Sequence, residues 1–234
     1  MRFRRKATAQ PQQDVAPEPD VAGDAETPAP AQDAPVDVRR DGPRDIAETD
    51  VTAETEGWVD LTSLLVTGQP GLELRMQVDE RSGEVAAVLF VGQDGAVEVR
   101  PFAAPRTTSM WEDVRRQIAS ETSRRGGTAT EGPGLFGTEL RVLMPVTTED
   151  GRTGQQPSRV LGIDGPRWFL RATLMGRPAV EVEAAEPYLA AVRSLVVVRG
   201  NVAMAPGDAL PITVPPQARR VSPDPAAQPQ PGAG

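Results

Sequence analysis

The chain has 234 residues, a formal net charge of -8, no cysteine and no histidine. That composition excludes thiol nucleophiles, disulfides, Cys/His zinc sites and every imidazole-based triad, and its acidic balance argues against a general affinity for nucleic acid, which draws on a basic surface. Lys6 is the only lysine, so Schiff-base chemistry and a Walker-type phosphate lysine are excluded from the folded part as well.

Residues 1–55 are expected to be a disordered, acidic, Pro/Ala-rich tail. From about Ala7 to Asp50 large apolar side chains are too scarce to offset chain entropy. The tail's charge is segregated: Arg2, Arg4, Arg5 and Lys6 come first, then Asp14 to Asp37 without a basic residue, then Arg39, Arg40 and Arg44. No apolar core of a signal peptide follows the basic start, and no apolar run reaches the length of a membrane span. A cytoplasmic location without membrane contact is therefore expected. Residues 216–234 are again Pro, Ala, Gln and Gly, a second expected tail, which leaves 56–215 as a single domain.

Within that domain, Leu72, Leu74, Met76 and Val78 alternate with polar residues, as one strand of period two requires. Ser82-Gly83 supplies a turn, Glu84 to Val91 is apolar on both faces, and Asp94-Gly95 turns the chain into Ala96 to Phe102. Ser109 then reads as the N-cap of a helix, with Glu112 closing a capping box and Gly126-Gly127 as the stop. Trp111, Val114, Ile118 and Thr122 form its apolar stripe.

A second run of strands follows, with Leu140, Val142 and Met144 alternating, a turn at Asp150-Gly151, and a strand from Arg159 to Ile163. Asp164-Gly165 reads as a hairpin turn, after which Trp168, Leu170, Ala172 and Leu174 take one face and Arg167, Phe169, Arg171 and Thr173 the other. A helix is expected from about Glu186, with Pro187 in its first turn, and Val196 to Val198 as a last strand.

The order strand, strand, strand, helix thus occurs twice. Glu73-Leu74-Arg75 matches Glu139-Leu140-Arg141, and Gly92 to Gly95 matches Gly162 to Gly165, a pattern consistent with tandem duplication. The expected fold class is α+β: an antiparallel sheet of hairpin-linked strands with two helices on one face.

The segments Phe102–Pro105 (FAAP), Phe136–Arg141 (FGTELR), Gly162–Arg171 (GIDGPRWFLR), Val196–Gly200 (VVVRG) and Ala203–Pro206 (AMAP) together resemble an uncharacterised actinobacterial family, domain of unknown function 3710. The resemblance spans about Gly57 to Pro215. It implies a cytosolic domain and carries over no catalytic residues.

No phosphate-binding glycine loop, metal cluster or activated nucleophile is legible, so no catalytic residue, cofactor or metal is expected. Alternation gathers Arg75, Arg100, Phe102, Arg141, Arg167, Phe169 and Arg171 on the sheet face away from the helices, a mixture of residue types enriched where partners bind. The bland alternative is that the arginines pair across strands with Glu73, Glu98 or Glu139. Two functional classes follow. The first is a non-enzymatic interaction module for a protein partner, acidic or phosphorylated, with the segment Asp14 to Asp37 competing for the face. The second is an anion- or nucleic-acid-binding protein using the same arginines; an enzyme of unrecognised type comes third.

Overall fold

A computed structural model of the chain describes residues 39–147 and 150–215. In chain order the elements are β1 (Arg44–Asp45), β2 (Trp58–Asp60), β3 (Leu64–Thr67), β4 (Glu73–Val78), β5 (Val85–Val91), β6 (Gly95–Ala103), α1 (Trp111–Arg124), β7 (Thr128–Gly134), β8 (Gly137–Thr147), β9 (Thr153–Gly165), β10 (Trp168–Gly176), α2 (Val182–Ser194) and β11 (Val196–Val197). Two sheets result. Seven antiparallel strands run in the order β4-β5-β6-β10-β9-β8-β7, and a small sheet runs β1-β11-β3-β2, in which β1 and β11 are parallel. The α+β class and the largely antiparallel pairing agree with the sequence reading.

Strand β10 shows why both faces of the large sheet are covered. Trp168, Leu170, Ala172 and Leu174 are fully buried against Leu64 and Val66 of β3 and against Tyr188, Leu189 and Val192 of α2. Phe169, on the other face, is 1% exposed and packs with Leu140, Val142, Val160 and Trp111 of α1. The helices therefore lie on opposite faces rather than on one. The cause is in the strands: β8 and β9 present apolar Leu140, Val142 and Val160 on the second face, and that surface needs its own cover.

The tandem repeat is not confirmed. The strand order is symmetrical about the β6–β10 pair, but the matched residues Leu74 and Leu140 pack on opposite faces, and the second run contains an extra strand, β7. The local matches do not occupy equivalent places.

The segment Gly162 to Trp168 joins the two layers. A β-carbon at Gly162 would overlap the Trp111 indole, and one at Gly165 would overlap that of Trp168, so only glycine permits these approaches. The tight turn falls at Pro166-Arg167, two residues beyond the expected Asp164-Gly165, and Arg167 takes a positive φ of 61°. Asp164 stays in the strand, opposite Phe169, and accepts hydrogen bonds from Ser109 Oγ at 2.6 Å and Met110 N at 2.9 Å. Helix α1 is thus capped from the neighbouring hairpin. Ser109 is not its N-cap, which is Met110, and the capping box expected with Glu112 does not form.

Two further differences concern boundaries. Among the described residues the first strand is at Arg44–Asp45, well before residue 56, where Asp45 is buried and β1 pairs with β11. Residues 1–38 and 216–234 of the expected tails lie outside the described residues. Helix α2 starts at Val182, placing Pro187 in its second turn, where burial of Ala185, Tyr188, Leu189, Ala191 and Val192 outweighs one missing backbone bond.

Candidate functional site

The part of the α1-side face not roofed by the helix is built by β6 and β10. Alternation places Glu98, Arg100 and Phe102 of β6 there beside Phe169, Arg171 and Thr173 of β10, and the register sets Arg100 opposite Arg171 and Phe102 opposite Phe169. Like charges directly opposite destabilise a sheet, so the pair requires compensation. Glu98 supplies it. Arg100 Nε lies 2.8 Å from Glu98 Oε1 and Arg171 Nη2 lies 4.0 Å from the same oxygen, with all three side chains mostly buried.

The compensation is incomplete. Glu98 is the one carboxylate lying between the two guanidiniums, with Glu121 of α1 acting on Arg171 as well; Arg100 Nη2 donates to Glu98 Oε2 at 3.4 Å, but Arg100 Nε, though close to Glu98, is buried without an aligned hydrogen-bond acceptor. Burial first, and the repulsion of Arg100 second, lower the basicity of Arg171; Glu98 and Glu121 of α1 oppose both. The Arg171 guanidinium also stands 5.6 Å from the centre of the Phe102 ring, and Phe102, Phe169 and Trp111 follow one another at 6.1 Å centroid spacings. An aromatic row therefore leads from beneath α1 to the partly exposed cations.

Of the residues singled out from sequence, the structure brings Arg75, Arg100, Phe102, Phe169 and Arg171 to one face, which α1 shares. Phe169 is core there, covered by Trp111. Arg75 sits on the edge strand β4, half-exposed, and pairs with Glu73 at 2.7 Å. Arg141 is on the other face, since Leu140 takes the α1 side; it pairs with Glu139, which also approaches the buried Arg159 at 3.5 Å. Arg167 belongs to the hairpin turn, where its carbonyl accepts from Ala104 N at 2.9 Å and Arg199 Nε at 3.1 Å. The expected single face of seven residues is thus a face of five.

The ion pairs foreseen for these arginines do form, across strands for Arg171 with Glu98 at 4.0 Å and along a strand for the others. Glu73-Arg75, Glu98-Arg100 and Glu139-Arg141 are each two residues apart and so share a face. This recurring Glu-x-Arg spacing was the sequence signal for Glu98 as a site residue. A second feature was missed altogether: a cleft of about 720 Å³ beside the Thr62-Ser63 turn, walled by Val198 to Gly200 and by the segment Ala209 to Val214. Its walls come from four separated segments, and no local pattern marks such a convergence.

Among the described residues no helix is long and apolar enough to cross a membrane, and no group of three or more acidic side chains could hold a metal ion. No curated protein matches the chain. A solution structure of cyanobacterial PsbP (CyanoP) from Synechocystis sp. PCC 6803 is similar over 58% of this chain and 86% of that one, at 12% identity and a TM-score of 0.32. The profile of the family described as "Protein of unknown function (DUF3710)" matches residues 42–221, beginning just before β1 and covering both sheets and both helices, and the chain belongs to that family.

Proposed function

We propose that the domain is a non-enzymatic interaction module that receives an acidic segment of a protein partner on the open part of the α1-side face. The observation that carries this reading is the meeting of Arg100 and Arg171 on the carboxylate of Glu98, which leaves the desolvated Arg171 guanidinium 4.0 Å from that carboxylate beside the half-buried Phe102 ring. A partner carboxylate placed there would complete the pairing, and charge-assisted bonds to arginine are among the stronger polar contacts at an interface. The lack of cysteine and histidine supports a binding role over catalysis. The net charge of -8 supports a protein partner over nucleic acid, whose phosphates the rest of the surface would repel.

The test is a titration of the full chain with a glutamate-rich peptide and, separately, with a single-stranded oligonucleotide, over a range of salt. The peptide is expected to bind and to shift the aromatic resonances of Phe102, and Arg171→Met, which keeps the apolar stem against that ring, is expected to abolish binding. Equal binding by wild type and by the Arg100→Gln/Arg171→Met double variant would overturn the reading. Preference for the oligonucleotide would make the face an anion-binding surface instead.

A further inference from the structure

The cleft beside Thr62 and Ser63 is independent of the charged face. At about 720 Å³ it falls within the range of small-molecule sites. Val85, Val198, Met204, Leu210 and Ile212 make its walls apolar, and two rim residues, Val202 and Val214, are 75% and 47% exposed. An apolar hollow with an exposed apolar rim is the form of a site for an apolar body.

Five polar residues, Thr62, Ser63, Glu84, Arg199 and Thr213, interrupt this lining; the Thr62 and Thr213 hydroxyls pair with each other, and Ser63 and Arg199 are the two that bear on a ligand. Ser63 is 2% exposed, and its Oγ has no hydrogen-bond partner among the described residues. Buried polar atoms are nearly always paired, so an orphan hydroxyl in a cleft wall calls for a ligand atom. The backbone that sets it there is strained: Thr62 has φ of 76°, and Ser63 N donates to Leu61 O at 3.1 Å, which closes a γ-turn. A β-branched residue is unfavourable in that region. The turn is held by Thr62 N donating to Asp60 Oδ1 at 2.6 Å and by the Thr62 and Thr213 hydroxyls meeting at 2.6 Å. Strain maintained by its surroundings in this way concentrates where geometry serves a ligand.

The second residue that bears on a ligand is Arg199. Its Nε donates to Arg167 O and its Nη1 to Val202 O, both at 3.1 Å, and it makes no ion pair among the described residues. Two carbonyls fix the guanidinium without neutralising it. Among the lining residues the only carboxylate is Glu84, exposed just before β5. We propose that the cleft binds a small amphipathic carboxylate, its apolar body against Val198, Leu210 and Ile212 and its headgroup taken by Arg199 and the Ser63 hydroxyl.

The experiment uses the full chain and decanoate as probe, with the matched neutral alcohol as comparison, followed by calorimetry and methyl resonances. Decanoate is expected to shift Val85, Val198 and Ile212 methyls and to bind at least about tenfold more tightly than the alcohol. Ser63→Ala should raise the thermal midpoint of the free protein, because it removes an unpartnered buried hydroxyl, and should weaken decanoate binding about tenfold. A structural serine would give neither effect. Arg199→Gln should abolish the preference for the carboxylate; if that variant unfolds, Arg199→Lys, which keeps the charge, should retain the preference. Absence of decanoate binding, equal affinity for acid and alcohol, shifts confined to other methyls, or unchanged binding by Ser63→Ala would each overturn the proposal.

Discussion

Trp168 Nε1 donates a 2.8 Å hydrogen bond to Asp45 Oδ2, a buried contact between residues 123 apart in sequence. It ties β10, near the centre of the large sheet, to β1 at the edge of the small one, and the Arg39 guanidinium covers the same indole at 5.5 Å from its centroid. Asp45 also accepts from Ala47 N at 2.9 Å, so one carboxylate serves the indole and caps the following 3-10 turn. Asp45→Ala should therefore cost about 2–4 kcal/mol, combining a buried unpaired N–H with a lost cap. Asp45→Asn, which keeps an acceptor, should cost less. Urea unfolding followed by tryptophan fluorescence checks both, and deletion through Asp50 should destabilise at least as much as the alanine variant.

Glu48 provides a pH dependence close by. Its carboxylate takes two bonds from Arg39, at 2.9 and 3.0 Å, and one from Asp45 N at 2.8 Å. The Arg39 hydrogen bonds are the main cause of a pKa held below the ordinary glutamate range; burial, next in size, acts the other way and the bond from Asp45 N acts with Arg39. A carboxyl whose pKa is lower folded than unfolded adds stability that is complete above the unfolded value and lost as pH falls through the folded one. The urea midpoint should therefore decline on acidification below the ordinary glutamate range, and Glu48→Gln should flatten that part of the profile. An unchanged slope in the glutamine variant would remove Glu48 from the account.

The attachment of α1 rests on Gly162 and Asp164. Gly162→Ala puts a methyl into the Trp111 ring and should lift the helix, at a cost of about 1–3 kcal/mol. Asp164→Ala removes the acceptor for Ser109 Oγ and Met110 N and should cost about 0.5–2 kcal/mol. The two differ in where the damage falls. Amide exchange should quicken only in the first turn of α1 for Asp164→Ala, and throughout α1 for Gly162→Ala.

These contacts show which parts of the fold were legible in the sequence. Period-two alternation and turn signals located strands such as β4, β8 and β10, where one face stays apolar over many residues, as Leu170, Ala172 and Leu174 do in β10, while β5 showed instead as a run apolar on both faces. Strand β7 was hidden by Gly132, Pro133 and Gly134, which a two-sided strand would not tolerate but an edge strand does. The two- to four-residue strands of the small sheet are too short to show a period. Alternation also fixed which side chains share a strand face, and so grouped Arg100 with Phe102 and Phe169 with Arg171. It could not say which face α1 would cover, since that depends on Trp111 meeting Gly162 across the hairpin, nor that Glu98 would sit between two arginines.

The buried pair of Glu139 and Arg159 gives the last prediction. Glu139 is 3% exposed and Arg159 7%, on neighbouring strands β8 and β9, and their closest approach of 3.5 Å leaves Arg159 Nε without a hydrogen bond. Arg141 shares the carboxylate from the solvent side at 3.3 Å. Removing one member of a buried pair strands the other, at a cost of about 3–5 kcal/mol where nothing else compensates, whereas replacing both by apolar residues of similar volume is often neutral or better. Glu139→Leu alone leaves the Arg159 guanidinium buried without its counter-ion and should fall near that range. Arg159→Met alone should cost less, because Arg141 still neutralises Glu139. The double variant should recover most of the loss, since the two apolar replacements together would extend the apolar surface around Leu161 and Leu174. Urea unfolding of the four proteins yields the coupling energy; additive effects of the two substitutions would mean that the pair contributes no mutual interaction, and that Arg141 alone satisfies Glu139.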